Sequence, residues 1–185
     1  SLQHACLKKG IEADIGYGTY TNHIPNLART SEILSELNKS SNYDAKFVFG
    51  HSMGALVAIA AAYPSIYDGL IQIGCNFQSW FPGLEPETVS LAGYPKPVLT
   101  VLGEVDGFLK YFSVHEDMQH LDCEKKKRGC DNLDLEKPII ILKDVNHMQV
   151  ADGIVGEMIL KTNRHDYDTS LSLEEAHAKI AEVIA

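Results

Sequence analysis

The chain has 185 residues, 45% of them hydrophobic, which is enough to build the core of one globular domain. Its formal net charge of −9 argues against nucleic acid as a partner and against anionic membrane surfaces. No apolar run approaches the roughly 18 residues that a membrane-spanning helix needs, so we expect no transmembrane segment.

The predicted elements alternate between strands and helices along the whole chain. Strands are assigned to short apolar runs and helices to segments with helical apolar spacing. Three of the runs, 69–75, 97–102 and 138–142, show little alternation, which suits parallel strands covered on both faces. In chain order they are a helix at 1–9, a strand at 11–15, a helix at 26–38, a strand at 45–49, a helix at 53–63, strands at 69–75 and 97–102, a mostly helical stretch at 109–127, a strand at 138–142 and a helix at 173–184. This order predicts a single domain over residues 1–185, with a three-layer α/β/α architecture and a mostly parallel sheet.

Three local signals add detail to these elements. Ser172 and Glu175 have the spacing of a capping box, which predicts that the last helix begins directly after Ser172. Cys75 ends an apolar strand and is expected in the core. Cys123 and Cys130 share a polar loop and can pair only in an oxidising compartment, so the sequence leaves the localisation open.

The segment Gly50-His51-Ser52-Met53-Gly54 fits the pattern G-x-S-x-G. It follows a predicted strand and precedes a predicted helix, the context in which a sharp turn exposes a serine hydroxyl above a sheet. Glycines at such a turn let neighbouring backbone approach closely. We therefore take Ser52 as a candidate nucleophile; the alternative is a glycine-rich turn with an inert serine.

A serine hydroxyl is a poor nucleophile unless an adjacent base, oriented by a third group, removes its proton. Asp106 lies just past the predicted strand 97–102, and His147 just past the strand 138–142. The carboxyl ends of parallel strands are where open α/β sheets place their sites. Ser52, Asp106 and His147 follow one another in the chain order that this chemistry takes on such sheets.

These residues resemble those of the α/β-hydrolase superfamily, specifically its small-lid esterase, lipase and dienelactone-hydrolase-like members. The matching segments are 47–64, 97–108 and 138–153, and the similarity extends loosely over most of the chain. The resemblance implies that Ser52 is the nucleophile, His147 the base and Asp106 the residue that orients it. It further implies a serine hydrolase that cleaves small-molecule or lipid esters through an acyl-enzyme, without a metal or an organic cofactor. Thioesterase, lipase and acyltransferase chemistry would use the same residues.

In the resemblance, the backbone N–H of Met53 is one donor of the oxyanion hole. The second donor of this family comes from a loop upstream of its first helix, to which residues 1–9 correspond. We therefore expect that the earlier strands and this loop are missing from the sequence, so that further N-terminal residues or a partner chain would have to supply them.

Aromatic residues suggest where a substrate would lie. Phe77, Trp80 and Phe81 begin a segment of about twenty residues that follows the strand 69–75 at the expected site. They are candidates for an apolar acyl or alcohol pocket. Ordinary packing of a surface loop explains the same residues equally well.

Other assignments of the acid and the base remain open. Glu104 shares the loop of Asp106 and is a rival acid, whereas Asp144 precedes His147 too closely to orient it easily. His51 is expected to pack beside the turn and not to act as the base. A merely structural role of His147 in its loop is a further alternative.

Two further interpretations concern the whole chain. A zinc site is conceivable in one loop, whose candidate ligands are His115, His120, Cys123 and Cys130. Their spacing matches no standard zinc arrangement, so we expect no metal. The second functional hypothesis is a catalytically silent hydrolase-fold subunit that binds or scaffolds a partner, because one fold hosts many functions. Cofactor-free C–C hydrolysis or a peroxidase-like side activity would use the same serine.

Overall fold

The computed structural model describes residues 44–52, 54–55, 58, 67–75, 96–110, 137–151 and 166–185. Within them the chain forms parallel strands, a short 3-10 turn and a C-terminal helix. The elements are β1 (Phe47–His51), β2 (Gly69–Ile73), β3 (Val98–Gly103), β4 (Ile139–Leu142), the 3-10 turn (Met148–Val150) and α1 (Leu173–Ile184).

The strands form one sheet in the order β1-β2-β3-β4, and every neighbouring pair is parallel. The neighbouring strands run side by side over their length; for example, Phe49 pairs with Ile71, and Ile71 with Leu99. All four carboxyl ends therefore meet at one edge of the sheet. The α/β fold and the parallel sheet predicted from the sequence are confirmed.

The central strands carry the core of the described sheet. Every residue of β2 is buried, and β3 is buried except for a half-buried Leu99. The prediction of strands covered on both faces holds for these two. It is wrong for β4, in which only Leu142 is buried and Ile141 is 50% exposed. β4 and β1 are the outer strands of the described sheet, and Phe47 and Phe49 of β1 are likewise exposed.

The C-terminal helix packs against the loop that follows β4. Ser172 Oγ accepts a hydrogen bond from the Glu175 amide, and the Glu175 carboxylate accepts one from the Ser172 amide, so the predicted capping box is present. The buried face of α1, with Ala176, Ile180 and Ala181, joins the core formed by the strands and the 3-10 turn. Burial of this face holds α1 against the 3-10 turn that follows His147.

Several predicted elements lie outside the described residues, namely those at 1–9, 11–15 and 26–38 and the part of 109–127 beyond residue 110. Of the predicted helix 53–63, the described residues Gly54, Ala55 and Ala58 are helical. Among the described helices, none is long and apolar enough to cross a membrane.

Candidate active site

Ser52 occupies a sharp turn directly after β1. Its φ of 53° is in the left-handed region, which non-glycine residues rarely adopt. The Ser52 amide donates to the carbonyl of Ile73 at 2.9 Å, and the Ser52 carbonyl accepts from the Ala55 amide at 2.9 Å. These backbone bonds hold the turn in a conformation that costs of order 1–3 kcal/mol on its own.

The two glycines that flank this turn differ in their surroundings. A Cβ on Gly50 would lie 2.4 Å from Ala55 Cα, so no side chain fits between the strand end and the helical residues behind it. A Cβ on Gly54 would meet no described atom within 4 Å. Close backbone approach therefore explains Gly50, and nothing among the described contacts requires Gly54.

Asp106 lies in the loop after β3 and is only 2% exposed. Its Oδ1 accepts hydrogen bonds from the amides of Phe108 at 2.9 Å and Leu109 at 2.7 Å. Its Oδ2 lies 2.7 Å from His147 Nδ1. The backbone of its own loop thus turns the carboxylate so that one oxygen faces the imidazole.

His147 lies between β4 and the 3-10 turn and is 6% exposed. Its Nδ1 contacts Asp106, and its Nε2 lies 2.8 Å from Ser52 Oγ. An ionised carboxylate can only accept, so Nδ1 carries the hydrogen and Nε2 is left to accept the serine proton. The hydrogen bonds join residues 95 and 41 positions apart in the chain.

This arrangement brings together the three residues singled out by the sequence. Each one follows the carboxyl end of a different strand, β1, β3 or β4, and the parallel sheet places those ends side by side. A neutral imidazole that accepts from a serine hydroxyl and donates to a buried carboxylate is suited to remove the serine proton as the oxygen attacks an electrophile.

Two rings pack on the His147 imidazole. The His51 ring centroid is 4.7 Å away and that of Phe108 is 4.8 Å away, both tilted. Burial, and next the nearby His147, lower the pKa of His51 from 6.5 to about 4, although a hydrogen bond with the His147 backbone opposes this shift. His51 Nε2 is out of contact with solvent and has no hydrogen-bond partner among the described residues. His51 is therefore a neutral packing neighbour at neutral pH.

Gly74, just past β2, lies next to the His147 imidazole. Its φ is +54°, and a Cβ there would lie 3.0 Å from His147 Nδ1 and 3.3 Å from Asp106 Oδ2. A side chain would therefore press on the two atoms that share the hydrogen bond. The next residue, Cys75, is buried, and burial raises the pKa of its thiol to about 12, which leaves it unreactive at neutral pH.

The rival carboxylates have other partners. Glu104 is exposed, and its Oε2 accepts from the Asp144 amide at 3.0 Å. The Asp144 carboxylate accepts from the Ser170 amide and hydroxyl, which lowers the pKa of Asp144. Neither carboxylate has a hydrogen bond with His147 among the described contacts, whereas Asp106 does.

One residue at the site has no signal in the sequence. The carboxylate of Asp166 accepts hydrogen bonds from three backbone amides, those of Gly107, His147 and Met148, at 2.9, 3.1 and 2.9 Å. It precedes α1 and reaches the loops that carry both Asp106 and His147. No motif or periodicity marks an aspartate that acts on amides 59 and 19 positions away.

Other sequence predictions fall on residues that the structure does not describe. These are the proposed oxyanion donor and pocket residues, and the zinc candidates: Met53, Phe77, Trp80, Phe81, His115, His120, Cys123 and Cys130. Within the described part of the chain, no group of three or more His, Cys, Asp and Glu side chains is arranged to hold a metal ion.

Solved structures resemble this chain over most of its length. The esterase domain of a Rhodothermus marinus protein matches with a TM-score of 0.56 and 14% identity, over 99% of this chain and 75% of that one. An α/β serine hydrolase without a lid from Xanthomonas campestris matches with a TM-score of 0.51 and 15% identity, over 79% of this chain. This chain spans 62% of the Xanthomonas protein, less than two thirds of its length. No family profile and no curated protein matches the sequence. The likeness in structure, with the parallel sheet, shows that the chain has the α/β-hydrolase fold.

Proposed function

We propose that this protein is a serine hydrolase that cleaves carboxylic esters, with Ser52, His147 and Asp106 as its catalytic triad. The observation that carries the proposal is the unbroken chain of hydrogen bonds from Ser52 Oγ through the imidazole to the Asp106 carboxylate, at 2.8 and 2.7 Å. The strained turn at Ser52 supports it further, because unusual backbone conformations cluster at functional sites.

In the proposed mechanism, Ser52 Oγ attacks the ester carbonyl while His147 Nε2 takes its proton. Asp106 holds the imidazole in the productive tautomer and stabilises the imidazolium that forms. The Met53 amide is proposed to bind the oxyanion. Collapse of the tetrahedral intermediate expels the alcohol, to which His147 returns the proton, and leaves an acyl group on Ser52. Water then attacks the acyl-enzyme with the same base and releases the acid.

The names of the similar structures agree with this reaction class. One is described as an esterase domain and the other as a serine hydrolase. Phe77, Trp80 and Phe81 remain our candidates for the acyl or alcohol pocket, and we propose a small-molecule or lipid ester as the substrate.

The test is labelling with a fluorophosphonate probe, followed by intact-mass spectrometry and a panel of p-nitrophenyl esters of increasing acyl length. The expected result is a single adduct and ester turnover in the wild type. Both should be absent in Ser52→Ala, which removes the attacking oxygen. A wild type that neither labels nor turns over any ester would reject the proposal and favour the silent scaffold.

A further inference from the structure

We propose that Asp166 is a positioning residue that holds Asp106 and His147 in register for the reaction. This inference rests on the proposed function, since it assigns Asp166 a role in the same site. Asp166 has no contact with Ser52 among the described hydrogen bonds, so its effect on the chemistry is through the backbone of the other two residues.

The three amides that Asp166 binds belong to both loops. Oδ1 accepts from Gly107, the residue directly after Asp106, and from His147 itself. Oδ2 accepts from Met148, the first residue of the 3-10 turn. A single carboxylate thus joins the backbone on which the acid is mounted to the backbone on which the base is mounted.

A backbone hydrogen bond also joins these two loops, at residues closer to the ends of β3 and β4. The amide of Val105 donates to the carbonyl of Val145 at 3.2 Å. Asp106 and His147 follow these two residues, and Asp166 binds the amides at and after them. The acid and the base are therefore bracketed between a backbone bond on one side and the Asp166 carboxylate on the other.

The segment that carries Asp166 is itself hydrogen-bonded to the His147 loop. The next residue, Tyr167, accepts a hydrogen bond on its carbonyl from Asn146 Nδ2 at 3.0 Å. Further along, the Leu171 carbonyl accepts from Gln149 Nε2 at 2.8 Å. These bonds bind the segment before α1 to the His147 loop at several points, so the carboxylate is fixed where it meets the three amides.

The aspartate side chain suits this contact, because its two oxygens can accept from three converging N–H donors. An asparagine would fit the same space, but its side-chain NH₂ group would face backbone N–H groups that need an acceptor.

The experiment compares Asp166→Ala and Asp166→Asn with Asp168→Ala, an exposed carboxylate two residues along that controls for the loss of charge. We expect kcat to fall about 100-fold in Asp166→Ala, since misplacement of a catalytic group by about 1 Å has effects of that size, while KM stays nearly constant. Asp166→Asn should lose less, because its carbonyl replaces one oxygen. Asp168→Ala should match the wild type.

A double-mutant cycle with Asp106→Ala separates positioning from a general loss of stability. If Asp166 acts by keeping Asp106 against His147, its removal has little further effect on kcat once the Asp106 carboxylate is gone. Independent, multiplicative losses of kcat in the double variant would overturn the proposal, as would unchanged kcat in Asp166→Ala.

Two measurements decide the role of Asp166 without relying on turnover. In Asp166→Ala the far-downfield proton resonance of His147 Nδ1–H should weaken or disappear, and the amides of Gly107, His147 and Met148 should exchange with deuterium faster. An unchanged resonance and unchanged exchange would overturn the inference even in an active enzyme. A wild type without Ser52-dependent labelling would instead reject the proposed function, and these two readouts would still report on Asp166.

Discussion

The serine and the aspartate–histidine pair are held at the site by different kinds of contact. Ser52 is fixed by main-chain bonds, one to its own turn at Ala55 and one to the neighbouring strand at Ile73. Asp106 lies three residues past the end of β3 and His147 five residues past the end of β4, and the side-chain carboxylate of Asp166, from a third segment, binds the backbone at or beside both of them.

The difference follows from how far each residue lies from the end of its strand. Ser52 comes directly after β1, so main-chain bonds to the neighbouring strand and to the following turn are enough to fix it. The loops after β3 and β4 leave the sheet separately, and their relative position needs bonds between them. Damage to the first region should therefore appear as lost stability, and damage to the second as lost catalysis in a protein that still folds.

Among substitutions in the Asp106–His147 region, replacement of Asp106 by Asn should have the largest effect on catalysis. The amide would donate to His147 Nδ1 and favour the tautomer in which Nε2 carries the hydrogen, so that Nε2 no longer accepts from Ser52. The expected loss in kcat is about 10⁴-fold. Steady-state kinetics with the best ester of the panel measures it, and circular dichroism shows whether the fold persists.

Glu104→Gln provides the matched control for this variant. Glu104 shares the loop of Asp106 and is exposed. Its carboxylate accepts a hydrogen bond from the Asp144 amide, and a glutamine carbonyl can accept the same bond. We expect kcat within about twofold of the wild type, the range of ordinary surface substitutions. A large loss here with little loss in Asp106→Asn would reverse the assignment of the acid.

The Ser52 region should respond to Gly50→Ala by losing stability. A Cβ at Gly50 would meet the backbone of Ala55, which has no flexible end to give way. Overpacking of this kind has a destabilising effect of about 3 kcal/mol. Urea unfolding measures the change, with Gly54→Ala as the control, because a Cβ at Gly54 meets no described atom and alanine favours a helix. Equal losses in both variants would contradict the close-approach explanation.

The sequence predicted much of the sheet and the three candidate residues because their signals are local. Apolar runs located the four described strands, and the spacing of Ser172 and Glu175 located the start of α1. The ends of strands were less well predicted. The apolar run 69–75 suggested that the second of these strands includes Cys75, but β2 ends at Ile73, since Gly74 turns the chain with a φ of +54°.

The contacts that assemble the acid and the base could not be predicted from the sequence. Asp166 is one of 25 acidic residues in the chain, and nothing in its neighbourhood distinguishes it from Asp168. Its role depends on where α1 docks and on where the loops after β3 and β4 meet. Those positions are set by burial and by long-range packing, which leave no periodic pattern around residue 166.

Gly74→Ala should lower catalytic activity by displacing Asp106 and His147. The new Cβ would press on His147 and Asp106 Oδ2, and the positive φ would add strain. We expect kcat to fall roughly 100-fold, as for other displacements of about 1 Å, with a smaller change in KM. The downfield resonance of His147 Nδ1–H provides a second measure. Unchanged kcat would mean that the imidazole has room to move without loss of function.

His51 links the two regions, since it is the last residue of β1, directly before Ser52, and packs on His147. Its pKa in the folded protein is about 4, below the ordinary value of 6.5. Between pH 4 and pH 6.5 the unfolded chain binds a proton at His51 more readily than the folded protein does. The stabilisation that comes from a neutral His51 is therefore fully present above pH 6.5 and is lost as the pH falls. From pH 7 to pH 5 the free energy of unfolding should fall by about 2 kcal/mol on account of this group.

Replacement of His51 by Gln removes the titrating ring and should flatten the pH dependence of unfolding by that amount. Urea unfolding of the wild type and of His51→Gln at pH 5, 6 and 7 measures the difference between the slopes. The comparison of slopes excludes any constant effect of the substitution on packing. Identical slopes would mean that His51 takes up a proton as readily in the folded protein as in the unfolded chain, and that the contact between the two regions does not depend on a neutral ring.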